Sequence, residues 1–398
     1  MNSPLAALNA LNFFMADVRD GLGPFLGVFL QGKGWSPGEI GLVMTIGGLA
    51  GMAAATPLGM MVDRSRRLRL LLGLAAIAII LSCGANFVMP VLGVVAPAQI
   101  VSGIAAAVVA PAVAGLTLGL VGQKGYPHQL GRNEAWNHAG NAAAAVLSGG
   151  LGWMFGLPAV FVLMAAMAGG SIFALLSIPA DAIDHAAARG AGDTEEASTA
   201  SLRDLLANRP LRGLAATMML FHLANAAMLP LLGQSMVARG TAGDASAYTA
   251  ATVLVAQGTM IPMALLAAWL AERRGYWIVF VLALAALPLR GALAGSIQHP
   301  MVLIPVQMLD GVGAGLLGVA MPGLIARLLN GTGRVNTGLA LVMTAQGIGA
   351  ACSPLLAGLV AEWLGYGVAF LVLGLIAAAA LALWLAAGDR PRRDVGRA

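Results

Sequence analysis

Long apolar runs, interrupted by short clusters of charge, set the rhythm of this chain. A membrane-spanning helix needs about 20 predominantly apolar residues. Runs of that length recur twelve times, near 6–30, 37–61, 70–90, 93–121, 131–155, 158–180, 211–236, 246–271, 276–296, 301–329, 336–361 and 365–387. They are too long and too uniform for the alternating ~10-residue strands of a membrane barrel. In lipid a backbone must satisfy its own polar groups, so the pattern predicts helices. The expected fold is an all-α polytopic membrane protein with twelve transmembrane helices in two pseudo-symmetric six-helix bundles.

Composition agrees with that pattern. Of 398 residues 59% are hydrophobic and 10% charged, with mean hydropathy +0.85. A soluble domain carries about 25% charged residues, so a soluble enzyme is excluded. Cys83 and Cys352 both fall in predicted helices and make no disulfide framework. The N-terminus lacks the basic region and cleavage site of a signal peptide, so the first span is expected to be retained. If that terminus is cytoplasmic, eighteen of the 22 Lys and Arg residues collect on one side, including Arg64, Arg66, Arg67, Arg273, Arg274 and Arg393. The positive-inside rule then places both termini in the cytoplasm, on an inner membrane. The basic balance is a matter of topology, and no partner nucleic acid is expected.

The longest polar stretch, 181–210, carries six acids and reads as a cytoplasmic linker with a short surface helix at 201–208. It separates an N-terminal bundle (1–180) from a C-terminal one (211–388), which a basic cytoplasmic tail (389–398) follows. The bundles repeat. Asp63 and Glu272 lie 209 residues apart, Gln99/Gly103 and Gln307/Gly311 lie 208 apart, and Phe13 falls opposite Phe221 at 208. Gly131 with Gly338, and Gly140 with Gly347, fall at 207. Internal repeats with a site at their interface are typical of secondary transporters.

Twelve spans in two halves, with an acidic-basic motif after the second, resemble the major facilitator superfamily. That family's Gly-x-x-x-Asp-Arg-x-Gly-Arg-Arg loop is matched by Gly59, Asp63, Arg64, Arg66 and Arg67, without the second glycine. After the eighth span, Glu272, Arg273 and Gly275 echo it. The resemblance implies that Asp63, Arg64, Arg67, Glu272 and Arg273 are gating residues that latch the cytoplasmic side. A carboxylate suits a helix N-terminus and pairs with a guanidinium fork. Many proton-driven exporters of the family have an arginine in the fourth span where this chain has Gln99, so their arginine relay is not carried over. Their Gly-Pro signature in the fifth span is missing too. The family's central cavity is lined by the first, fourth, seventh and tenth spans, with help from the fifth, eighth and eleventh.

Charged residues inside membrane helices are costly and usually functional. In the first span Asp17, Arg19 and Asp20 precede Gly21, Gly23 and Pro24, so a broken helix with three charges is expected. The fifth span carries Asn133, Asn137 and Asn141 at i, i+4, i+8, with Glu134 and His138 on the adjacent stripe. These form one polar face about 100° wide. Ala135, Ala139, Ala142 and Ala143 would form the opposite, packed face. The alternative is that the asparagines merely bond to neighbouring helices. His222 and Asn225 lie in the seventh span, Gln307 and Asp310 in the tenth, and Gln346 in the eleventh. Arg290, in the ninth, either pairs with Asp310 or snorkels outward.

Asp17, Arg19, Asp20, Asn133, Glu134, Trp136, Asn137, His138, Asn141, His222, Asn225, Gln307, Asp310 and Gln346 are the expected substrate-binding set, and Phe13, Phe14, Met218, Met219 and Met228 could add apolar contacts. Asp17, Asp20, Glu134 and Asp310 are the candidates for proton coupling, because a buried carboxylate can carry a proton. His138 and His222 titrate near neutrality and could join them. No phosphate loop is present and the linker is too short for an ATPase domain. The expected function is secondary active transport of a small polar or amphiphilic organic solute, coupled to protons, by a monomer without cofactor. Metal-ion or metal-chelate transport is the alternative reading, on the Glu134/His138 spacing. A membrane enzyme or a transporter-like sensor has less support, since HExxH is absent and no signalling domain fits.

Overall fold

The structure is a computed structural model, and it describes residues 3–20, 23–184, 187–189, 205, 207–240, 245–297, 299–329 and 335–387. Its N-terminal elements are α1 (Pro4–Asp20), α2 (Gly23–Gly32), α3 (Pro37–Arg64), α4 (Leu68–Val88), α5 (Leu92–Phe155) and α6 (Pro158–Leu176). Then come α7 (Arg209–Asn225), α8 (Met228–Arg239), α9 (Ala245–Arg274), α10 (Tyr276–Ser296), α11 (Leu303–Leu328), α12 (Val335–Leu364) and α13 (Tyr366–Ala387). The protein is all-α and polytopic. Ten described helical stretches are long and apolar enough to cross a membrane.

The other two predicted spans take different forms. The first is divided into α1 and α2, as its glycines and proline led one to expect. The fifth is the second arm of α5, whose continuity is interrupted at Gly122 (φ 65°, ψ 178°). Glycine enters that left-handed region without the Cβ clash other residues meet. The chain reverses there, and the Asn133 amide donates to Thr117 Oγ1 at 2.8 Å across the two arms.

The chain divides into two compact units, one of Met1–Lys33, Ile46–Thr194 and Asp244–Ala250, the other of Gly34–Thr45, Glu195–Gly243 and Ala251–Ala398. In the first unit α1 packs on α5 and α6. A Cβ on Gly140 would run into the Phe13 carbonyl. Gly47 and Gly51 of α3 meet the backbone of Gln99 and Gly103. Phe29, Phe87 and Phe161 form an aromatic cluster with centroids 4.7–5.9 Å apart. The described start of the linker folds back on α5: Asp184 N–H donates to the Gly119 carbonyl at 2.8 Å, and Ile183 is buried beside it. The helix expected at 201–208 lies largely outside the described residues.

The second unit repeats the glycine packing. Gly311 and Gly315 of α11 lie against the backbone of Ala256 and Met260 in α9, and Gly349 of α12 against Met219 of α7. Gly103 and Gly311, predicted as counterparts, thus do the same work 208 residues apart. Gly131 and Gly338 do not correspond: the first faces open space, the second the Leu329 side chain. Here also the N-terminus of α3 is closed by α12. Glu362 accepts from Ser36 Oγ at 3.0 Å and from the Gly38 amide at 2.9 Å. Ser36 and Glu39 complete a capping box below it.

Outward-facing side chains are apolar: Leu81 is 67% exposed, and Trp153 and Trp363 exceed 70%. That surface suits lipid, with tryptophan near helix ends as interfacial belts require.

Candidate functional site

The polar groups of the first unit form a chain of amides. Gln129 donates to Asn9 Oδ1 at 2.9 Å and to Asn133 Oδ1 at 3.0 Å, and Asn133 passes the chain to Thr117. Asn9, Gln129, Asn133 and Thr117 are all buried. A buried amide left unpaired would cost several kcal/mol in an apolar medium. Here α1 and both arms of α5 satisfy one another instead, so Asn133 is held in a helix-to-helix bond.

Beside this chain lies a cavity of about 90 Å³, with Asn12, Asn133, Glu134 and Asn137 on its polar side. Met15, Val109, Val113 and Leu130 supply most of the apolar side. Asn12 donates to the Leu8 carbonyl at 2.9 Å. Asn141 donates to Asn137 Oδ1 at 3.3 Å. Among the described residues Glu134 has no hydrogen-bond or ion-pair partner.

The polar face predicted on the fifth span is therefore divided. Asn133 is tied into the amide chain and also borders the cavity, while Glu134, which is exposed, and Asn137, half-buried, line the cavity outside that chain. His138 is exposed, away from the lining. Trp136 is 43% exposed and meets Phe13 edge-on at 6.3 Å, also outside the lining. The alanine face corrects an expectation: Ala135 and Ala139 are exposed, and Gly140 makes the close approach to α1. Two helix backbones meet more closely at a glycine than at any Cβ. Asp17 is half-buried and has a partner of its own, while the side chains of Arg19 and Asp20 lie outside the described residues.

The second unit has an ionic centre. Arg290 of α10 is fully buried. Its Nη1 donates to Asp310 Oδ1 of α11 at 2.8 Å and to Asn225 Oδ1 of α7, and its Nη2 to Gln307 Oε1 at 3.4 Å. Arg290 therefore pairs inward and does not snorkel. His222 holds its Nδ1 3.0 Å from the Met218 carbonyl, which can only accept, so Nδ1 carries the proton. Gln307 Nε2, Gln346 Oε1 and Arg290 Nε are buried without a partner among the described residues.

No group of three His, Cys, Asp or Glu able to hold a metal ion occurs among the described residues.

The sequence profile of the Major Facilitator Superfamily matches residues 4–336 and 279–398. The chain belongs to the major facilitator superfamily. As a member it is a transporter, and its relatives agree. Uncharacterized MFS-type transporters from two Mycobacterium tuberculosis strains (CDC 1551 / Oshkosh and ATCC 25618 / H37Rv) are each 40% identical over 385 residues, 96% of this chain and 92% of theirs. Solved structures similar to this superfamily member include the nucleoside transporter NupG, as a point mutant, with TM-score 0.81 and 13% identity over 97% of this chain and 100% of that one. A bacterial homolog of the human lysosomal transporter Spinster follows, at TM-score 0.73 and 13% identity over 96% of each chain. At such identities these likenesses report the fold.

Of the superfamily's loop motif, Arg67 is exposed and its backbone N–H donates to Ser65 Oγ at 3.0 Å. The side chains of Asp63 and Arg64 lie outside the described residues. Glu272 is exposed, and Arg273 stacks 4.7 Å above the Trp269 ring. Sequence reasoning passed over Asn9, Asn12, Gln129 and Thr117. The signal was available for three of them: Asn9, Asn12 and Thr117 are polar residues in apolar runs, less conspicuous than Asp17 only for being neutral, whereas Gln129 stands in the polar stretch between the fourth and fifth predicted spans.

Proposed function

We propose that this superfamily member is a proton-coupled secondary transporter that moves a small polar or amphiphilic organic solute across the inner membrane by alternating access. It works as a monomer with both termini cytoplasmic. Segments 1–180 and 211–388 are its two repeats, joined by the linker 181–210. The observation that carries the reading is the cavity bearing Glu134. Glu134, an exposed carboxylate with no partner among the described residues, lines a cavity of α1 and α5 together with amide side chains, and a charge within a membrane-spanning segment usually serves function. Asp310 is the second candidate for handling protons. It is already held by Arg290, so a proton arriving there would have to displace an ion pair. The gating residues implied by the family, Asp63, Arg64, Arg67, Glu272 and Arg273, belong to the same proposal.

The test is reconstitution into liposomes with an imposed pH gradient and a mixed solute library, read by mass spectrometry. Gradient-driven accumulation of a solute, abolished by nigericin and by Glu134→Gln or Asp310→Asn, is expected. Accumulation indifferent to the gradient would remove proton coupling and leave facilitated transport.

A further inference from the structure

We infer that the cavity of the first unit is a seat for the protonated amine of an organic cation; the inference rests on the transport reading above and gives its substrate a class. Four observations lead there.

Glu134 brings a carboxylate that no described side chain pairs with, and no Lys, Arg or His is among the described residues that line the cavity. Asn12 is oriented by its own helix. The Leu8 carbonyl accepts from Asn12 Nδ2 at 2.9 Å, and a carbonyl cannot donate, so the amide cannot be turned round. Its Oδ1 is left as the free end of a residue that lines the cavity. The cavity thus offers two acceptors, the Glu134 carboxylate and the Asn12 amide oxygen, beside one amide donor, the Nδ2 of Asn137, whose Oδ1 is taken by Asn141. An anion would meet the Glu134 carboxylate and no cation among the described residues, and Arg290, the buried cation of the second unit, is engaged by Asp310.

An ammonium group supplies N–H donors for both oxygens, and bonds between a charged donor and a carboxylate are the strong ones. A bare metal cation would ask for about six oxygen ligands, more than Glu134 and Asn12 provide. Apart from the Asn133 and Asn137 amides, the remaining walls are apolar, from Met15, Val109 and Val113 among others. At about 90 Å³, the cavity is smaller than the ~150 Å³ that admits benzene. A short alkyl chain carrying a primary amine fits this better than an aromatic ring.

Three probes of nearly equal size and different charge make the test: n-butylammonium, n-butanol and butyrate. Binding is measured by calorimetry on the purified full chain in lipid nanodiscs, where no flux is possible. n-Butylammonium is expected to bind, with butanol and butyrate silent. Glu134→Gln should weaken its binding by roughly ten-fold or more, the effect of losing a hydrogen bond to a charged group. Asn137→Asp adds a second carboxylate and keeps an acceptor for Asn141, so it should tighten n-butylammonium binding and leave butyrate silent. This gain does not depend on how well Glu134→Gln folds. Binding of butyrate or butanol equal to that of n-butylammonium, no binding of n-butylammonium, or affinity unmoved by both substitutions would each overturn the proposal. Binding of n-butylammonium that obeys these expectations, without accumulation in liposomes, would overturn transport of this class and leave the seat intact.

Discussion

Arg290 shows how one side chain can organise a membrane bundle. Fully buried, it draws Asn225, Gln307 and Asp310 from two other helices onto one guanidinium group. Removing one partner of such a pair leaves an uncompensated charge and typically costs about 3–5 kcal/mol. Asp310→Ala should therefore sharply lower the thermal midpoint in nanodiscs. The double change Arg290→Met with Asp310→Leu should restore much of the loss, since replacing both charges with apolar groups is often neutral or better. Equal loss in single and double variants would show that the pair is not what holds these helices. The sequence made the charges visible and left their partners open, because a helical span fixes a residue's depth but not the neighbour it meets. That is also why Asn133, read as one of a stripe facing solute, turns out to bond to Gln129 and Thr117.

Among the elements, α5 carries most of the consequences. Its reversal rests on Gly122 at φ 65°, ψ 178°, so Gly122→Ala should cost about 1–3 kcal/mol, the penalty of a positive-φ extended conformation that is essentially reserved for glycine. Two glycines further along the same helix separate packing from propensity. Gly140→Val should prevent accumulation of folded protein, because even a Cβ there meets the Phe13 carbonyl. Gly131 faces open space, and Gly131→Ala should be neutral or stabilise by up to about 1 kcal/mol. Expression level and unfolding midpoint would decide both; a tolerated Gly140→Val would mean that α1 and α5 can part without loss. Helix existence was readable from the apolar runs, and the first span's break from its glycines and proline. The packed face of the fifth span was not, since alanine and glycine both read as small while only glycine lets backbones touch.

For the molecule as a whole, repeat and orientation were the strongest signals, because they sum over many residues. The Gly103/Gly311 match survives as a shared packing role, whereas single matches such as Gly131/Gly338 do not. Orientation is open to direct test in a variant lacking Cys83 and Cys352 and expressed in a bacterial inner membrane. Lys33→Cys should react with an impermeant maleimide in intact cells, and Lys124→Cys only after permeabilisation; the reverse pattern would invert the topology. One corner of the second unit bears on how such a chain is made. The amide of Gly38 and the hydroxyl of Ser36 are answered by Glu362, some 326 residues downstream. During synthesis that early turn must wait, solvated or provisionally bonded, until nearly the last stretch of polypeptide leaves the ribosome. A chain halted before residue 362 would release an N-terminal portion whose second crossing begins with an unfinished end, a ready handle for the quality-control proteases of the membrane.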